Sequence, residues 1–269
     1  MDKIENNLVP TSPEDIRTDA DKILCLALDI GEGILCAGGE INRVENTIER
    51  ICRAYGAKHV EVFTINSLIV ADLRLKDNSY STQIRRVLNE GTNLSRLERL
   101  NSLSRKICRE VTPVDEALEA VKKTRAESPY PTLVSLFGAS LGAAAFAVYF
   151  GGSWLDALAA GVIGLVLKLF DANRPSYLNK MASTVICSFI GGMLAYLMTM
   201  VGVGSKVDVI MMGTIMLLIP GAYFGYALRD LLFGDFLAGS LKLIQTFLVA
   251  GMIALGFGLS ILLMGGIAI

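Results

Sequence analysis

Residues 132–170 read TLVSLFGASLGAAAFAVYFGGSWLDALAAGVIGLVLKLF, and this stretch decides the class of fold. From Thr132 to Gly151 no Asp, Glu, Lys or Arg interrupts the apolar run. About twenty such residues in a helix cross the roughly 30 Å of hydrocarbon in a bilayer. Four more stretches follow at Trp154–Phe170, Ser183–Val201, Val207–Leu228 and Leu241–Met264, which predicts five transmembrane helices. The second is short and carries Lys168 near its end, whose long stem can reach the interface. Tyr130, Tyr149 and Trp154 fall where amphipathic rings collect at membrane boundaries.

Outward from this stretch the composition divides the chain. Its 269 residues are 52% hydrophobic, against about 45–50% for a soluble domain. Most of the charge lies before residue 131, so the expected organisation is a disordered start at 1–12, a cytoplasmic domain at 13–130 and a membrane domain at 131–269. A net charge of −1, with Arg interleaved among Glu and Asp, excludes a nucleic-acid binder. The first twenty residues hold five acids and no apolar run, which predicts no signal peptide and a cytosolic N-terminal half.

Within 13–130, helical spacing runs through Ile16, Ile23, Ala27, Ile30 and Ile34 and stops at Gly38-Gly39. A second helix starts at Glu40, with Val44, Ile48 and Ile51 on its apolar face and Gly56 just past its end. The period then changes to two. Residues 59–65 and 68–75 read as a hairpin around Asn66-Ser67, with a third strand at 80–87. A helix carrying Leu94, Leu97, Leu100 and Ile107 comes next, then one that Thr112-Pro113-Val114-Asp115 opens as a capping box. The expected class is an α+β cytoplasmic domain, helices packed on a small sheet, followed by an all-α polytopic bundle of five spans. Five cysteines with no C-x-x-C, and His59 as the one histidine, predict buried thiols and neither a metal nor a cofactor.

Loop charges predict orientation. Lys122, Lys123 and Arg125 precede the first span; Lys168, Arg174 and Lys180 surround the second connection; Arg229 and Lys242 surround the fourth. The first connection has no basic residue and the third has only Lys206, which puts the alternate loops in the cytoplasm and the C-terminus outside. Small residues four apart, such as Gly138 with Gly142, Ala157 with Gly161, Ala160 with Gly164 and Ala250 with Ala254, predict close helix packing.

Chemistry concentrates at Pro220-Gly221 in the fourth span. Proline removes a ladder bond, so the carbonyls near Met216 and Leu217 need other partners. Broken helices of this kind form transporter sites, or serve as packing kinks. Tyr223 and Tyr226 offer hydroxyls one turn on. Arg229, Asp230 and Asp235 then mark a pathway mouth where Arg229 either attracts a carboxylate, pairs with Asp230 or Asp235, or contacts a lipid headgroup. Asp171, Asn173 and Arg174 lie within reach of a cytoplasmic vestibule. No charged residue lies at 184–201 or 243–264, so any proton-relay carboxylate is expected on a partner.

Three ordered motifs carry a resemblance: Gly38-Gly39-Glu40-Ile41-Asn42-Arg43-Val44-Glu45 with Ile48-Glu49-Arg50-Ile51; Asn93-Leu94-Ser95-Arg96-Leu97 with Leu100-Asn101-Ser102-Leu103-Ser104-Arg105; and Pro220-Gly221 through Arg229-Asp230 to Gly234-Asp235. Together they resemble the threonine/serine exporter family, from about residue 20 to the end. The resemblance implies a cytoplasmic domain before a membrane domain, and export without ATP on an ion gradient. It also implies a subunit like the larger one of a split system, working in the bilayer with a second small membrane subunit as a homo- or hetero-oligomer. The implied substrates are threonine and serine, or a dicarboxylate such as succinate. Where the family has an Asn ahead of Ala-x-Arg-Asp, this chain has Tyr226. Glu40, Arg43 and Glu45 are the motif residues of the cytoplasmic domain; Arg43 and Glu45 either brace or gate the pathway or form a surface ion pair. A membrane-anchored enzyme, or a sensor or scaffold, is the alternative from another class; no nucleophile pair or phosphate loop supports the enzyme.

Overall fold

A computed structural model describes residues 19–88, 91–126, 130–175 and 178–265. The expected disordered start at 1–12 and the helix onset near Ile16 lie outside the described residues. The chain forms two compact units, one of Met1–Pro129 with Gly225–Lys242, the other of Tyr130–Phe224 with Leu243–Ile269.

The first unit is α+β. Helix α1, Asp19–Cys36, buries Ile23, Leu24, Ala27, Ile30 and Ile34. Gly31 and Gly33 let two neighbours approach. A Cβ at Gly31 would stand 2.6 Å from Ile48 Cδ1, and one at Gly33 would stand 2.7 Å from Leu100 Cδ1. The helix ends where its glycines predict: Gly38 takes φ +90°, and the amides of Gly38 and Gly39 donate to the Leu35 and Ile34 carbonyls. Helix α2, Ile41–Ala54, ends before Gly56, which takes φ +90°.

Strands β1 (Ala57–Ile65), β2 (Leu68–Leu75) and β3 (Tyr80–Arg86) form one antiparallel sheet in the order β1-β2-β3. Ile65 pairs with Leu68, so Asn66 and Ser67 make a two-residue turn. Ile69, Ala71 and Leu73 join the core, while Phe63 and Ile84 on the other face stay exposed. Helices therefore cover one side of the sheet. Asn93 caps α3, Leu94–Glu110, by accepting from the Arg96 amide at 3.0 Å. Helix α4, Val114–Ala126, starts later than the capping-box reading: the Pro113 carbonyl accepts from the Ala117 amide, so the cap falls on proline rather than Thr112.

The second unit holds α5 (Thr132–Tyr149), α6 (Trp154–Ala172), α7 (Lys180–Met200), α8 (Val207–Ile215), the start of α9 (Gly221–Leu232) and most of α10 (Phe236–Met264). Its core sets the small side chains of Ala143, Ala147, Ala159 and Ala160 beside Ile163, Ile210 and Phe257. A Cβ at Gly164 would stand 2.9 Å from Ala143 Cβ, so the Ala160–Gly164 spacing brings α6 against α5. Gly138 has nothing within 4 Å and marks an outward face instead. Among the described residues, α5, α7 and α10 are long and apolar enough to cross a membrane. Helix α6 has 19 residues but carries Asp156, Lys168 and Asp171. The predicted fourth span is two shorter helices, α8 and α9, because the chain leaves helical geometry from Met216 to Pro220.

Candidate functional site

The break begins where the helix ladder fails. Leu217 and Leu218 turn back to the Thr214 and Ile215 carbonyls, and the Gly221 amide donates to Ile219 only two residues behind. Proline supplies no amide to the Met216 carbonyl, and the amide due to Leu217 is engaged elsewhere. These two oxygens keep acceptor capacity that protein, water or a ligand must satisfy.

A cavity of about 400 Å³ within the second unit takes in Leu217 and Leu218. Its basic rim is Lys168, Arg174 and Lys180, with Asp171 as the acid; Ser183 and Thr184 give hydroxyls, and Leu167, Gly164 and Ala139 give an apolar wall. Lys168 Nζ lies 3.6 Å from Asp171 Oδ2, an exposed i,i+3 pair that holds both weakly. The Thr184 hydroxyl donates to the Lys180 carbonyl at 3.0 Å and keeps its lone pairs for an incoming donor. Asn179 caps α7 by accepting from the Met181 amide, fixing the turn that presents Lys180, Ser183 and Thr184. The cavity can therefore hold a carboxylate on its cations and an ammonium on Asp171, with the break at Leu217 in its lining.

The structure brings Asp171 and Arg174 together there and leaves Asn173 out. Asn173 Nδ2 donates to the Leu169 carbonyl at 2.9 Å and closes the end of α6. The two tyrosines part company. Tyr223 donates its hydroxyl to Gln245 Oε1 at 3.1 Å in the second unit. The Tyr226 ring packs in the first unit over the α1 turn, where a Cβ on Gly38 would stand 3.2 Å from its edge.

Arg229 pairs with neither Asp230 nor Asp235. Its Nη1 lies 2.8 Å from Glu40 Oε1, and its guanidinium sits 5.5 Å from the centre of the Phe233 ring. Asp230 instead bonds Lys242 Nζ at 2.6 Å in a pair whose side chains are 1% and 5% exposed. Lys242, read from sequence as a loop charge, is thus a buried partner. Burial, and after it the Asp230 charge, raises the Asp235 carboxyl above its usual range. Glu45 accepts from the Thr64 amide at 2.8 Å, tying α2 to β1, and burial raises its carboxyl too. Among the described residues Arg43 and Glu45 form no ion pair with each other.

Sequence reasoning missed Asp156. Ser153 and Asp156 form a reciprocal capping box on α6, and the buried Asp156 carboxylate also accepts from the Ser205 and Lys206 amides at 2.7 and 3.0 Å. The Ser-x-x-Asp spacing was the available signal. Ser183 and Thr184 were also passed over, although they sit one turn after a basic connection.

Apolar helices with outward-facing leucines, and a cavity beside a broken helix, define a helical membrane protein. Residues 25–264 match the family described as "Putative threonine/serine exporter", and the chain belongs to that family. It is 27% identical over 240 residues to a "Probable threonine/serine exporter" of Mycobacterium tuberculosis, covering 86% of this chain. The chain spans 44% of that relative's length. No solved structure matches it.

Proposed function

We propose that the chain is a subunit of a cell-membrane exporter that moves threonine or serine outward on an ion gradient, without ATP. One observation carries the reading: the second-unit cavity, lined by Leu217 at the break, offers Arg174 and Lys180 for a carboxylate, Asp171 for an ammonium, and Ser183 and Thr184 for a hydroxyl. Pro220 and Gly221 create the break, and Tyr223 braces it through Gln245. Family membership supports the substrate class. In this reading the chain crosses the membrane five times, the fourth time through α8 and α9 as a discontinuous helix. The α+β domain lies in the cytoplasm and the C-terminus outside, as the basic loops favour. Arg229, Asp230 and Asp235 support α9 on the cytoplasmic side, Tyr226 packs against the α1 turn, and none of them is a substrate contact. A second membrane subunit supplies further pathway, including any carboxylate that carries the coupling ion.

Uptake of radiolabelled threonine into proteoliposomes, with and without an imposed ion gradient, tests the reading. Arg174→Gln is expected to cut the rate about tenfold or more, the scale of one charge-assisted contact. Wild-type rates at normal membrane levels would remove the cavity from the pathway. Three cations against one carboxylate also favour a dicarboxylate such as succinate. Stronger competition by succinate than by serine, with Asp171→Asn leaving it intact, would decide for that substrate. Transport that fails with every substrate, beside hydrolytic or protein-recruiting activity of the full chain, would move the function to the α+β domain.

A further inference from the structure

The first unit holds a groove that the export reading does not use. Its volume is about 420 Å³, and three helices each bring an arginine to it: Arg43 and Arg50 from α2, Arg105 from α3 and Arg229 from α9. The local sequence explains the convergence. On α2, Asn42, Asn46 and Arg50 repeat every fourth residue on the face opposite Val44, Ile48 and Ile51, and Asn101 stands one turn before Arg105 on α3. The acid lining the groove is Glu40, already committed to Arg229 at 2.8 Å. Among the described residues no carboxylate comes within 4.0 Å of Arg43, Arg50 or Arg105. Of the two acids of α2, Glu49 is held by Arg53 at 2.6 Å and Glu45 accepts from the Thr64 amide.

Surface arginines usually alternate with acids, and four guanidiniums on one concave surface repel one another unless an anion sits among them. Guanidinium forks match phosphate oxygens in pairs, and the asparagine amides add neutral donors. We propose that this groove binds a small anion carrying linked phosphate groups, whose phosphate competes with Glu40 for Arg229. Occupancy would release Arg229 from Glu40 and so report to α9, which starts at the Pro220 break.

The test is pyrophosphate binding to the full purified chain by titration calorimetry at about 0.15 M salt, where loose surface attraction is screened beyond about 8 Å. Saturable one-to-one binding is expected. Arg50→Gln with Arg105→Gln is expected to weaken it about tenfold or more, and Glu40→Gln to tighten it, because a competing carboxylate is gone. All three side chains line the groove rather than the core, and Glu40 makes no capping bond, so the fold is retained; a melting curve checks this. A structural defect would not move affinity in opposite directions. No saturable binding, equal affinity in the arginine variant, or loss in Arg174→Gln instead would overturn the proposal. Nanodiscs containing cardiolipin, compared with phosphatidylglycerol at equal charge, identify the source: weaker pyrophosphate binding with cardiolipin alone assigns the linked phosphates to a lipid headgroup, and equal binding assigns them to a soluble metabolite. Loss of threonine transport by itself touches the exporter reading and leaves this site standing.

Discussion

The two units differ most in what they leave exposed. In the first, Leu24, Leu28, Ile30, Ile48 and Leu73 are fully enclosed, and most charges lie at the surface, the buried Asp230–Lys242 pair excepted. In the second, alanines and close-packed glycines share the interior with Ile163, Ile210 and Phe257, and Leu133, Phe137, Phe247 and Leu262 point outward with 78%, 68%, 64% and 79% exposure. The difference is one of solvent. Against water, large apolar side chains gain by leaving the surface. Against lipid that gain vanishes, and helices associate by close backbone approach through small residues.

Ways to break this comparison run from the buried charge pair downward. Lys242→Met strands the Asp230 carboxylate and is expected to cost about 3–5 kcal/mol in the unfolding of the purified chain, with Asp230→Leu added to it recovering most of the loss. A loss no larger than a surface substitution would mean the pair is solvated. Next, Leu24→Ala is expected to cost about 2–5 kcal/mol, and Leu262→Ala less than about 0.5 kcal/mol. Comparable costs would mean that Leu262 is packed in an interior rather than facing outward. Gly164→Val is expected to cost about 1–3 kcal/mol through overpacking of α6 on α5, read as a lowered melting temperature and lost transport.

The smallest effect sharpens the comparison by pH. Burial raises the Glu45 carboxyl above 4.5, so the folded state holds this proton more tightly than the unfolded state. The stability it contributes is full below about 4.5 and is lost as pH rises through the raised folded value. Glu45→Gln keeps an oxygen for the Thr64 amide and cannot ionise. Its melting temperature is therefore expected to fall less than the wild type's over that window, and equal slopes would remove Glu45 as a cause. Asp29 and Asp235, also raised by burial, leave a residual slope of the same sign.

Much of the fold was legible because it rests on local period. The α1 stop at Gly38, the turn at Asn66-Ser67 and the break ahead of Pro220 all follow from residues a few positions apart. The site was legible in part. A proline in an apolar run marks freed carbonyls, and a basic connection marks a rim, so Asp171 and Arg174 could be named. Asn173 could not be separated from them, since the same loop offers a cap and a ligand with equal ease.

Sequence by itself determined what each segment's surroundings must be, because twenty uncharged residues or an i,i+4 stripe state their solvent directly. Tertiary structure alone decided the partners. Arg229 reaches back across more than half the chain to Glu40, and Asp230 chooses Lys242 over its neighbour. The distribution of charge along the chain carries no term for which opposite charge the fold will bring within 3 Å. That choice is made only when packing fixes both side chains in space.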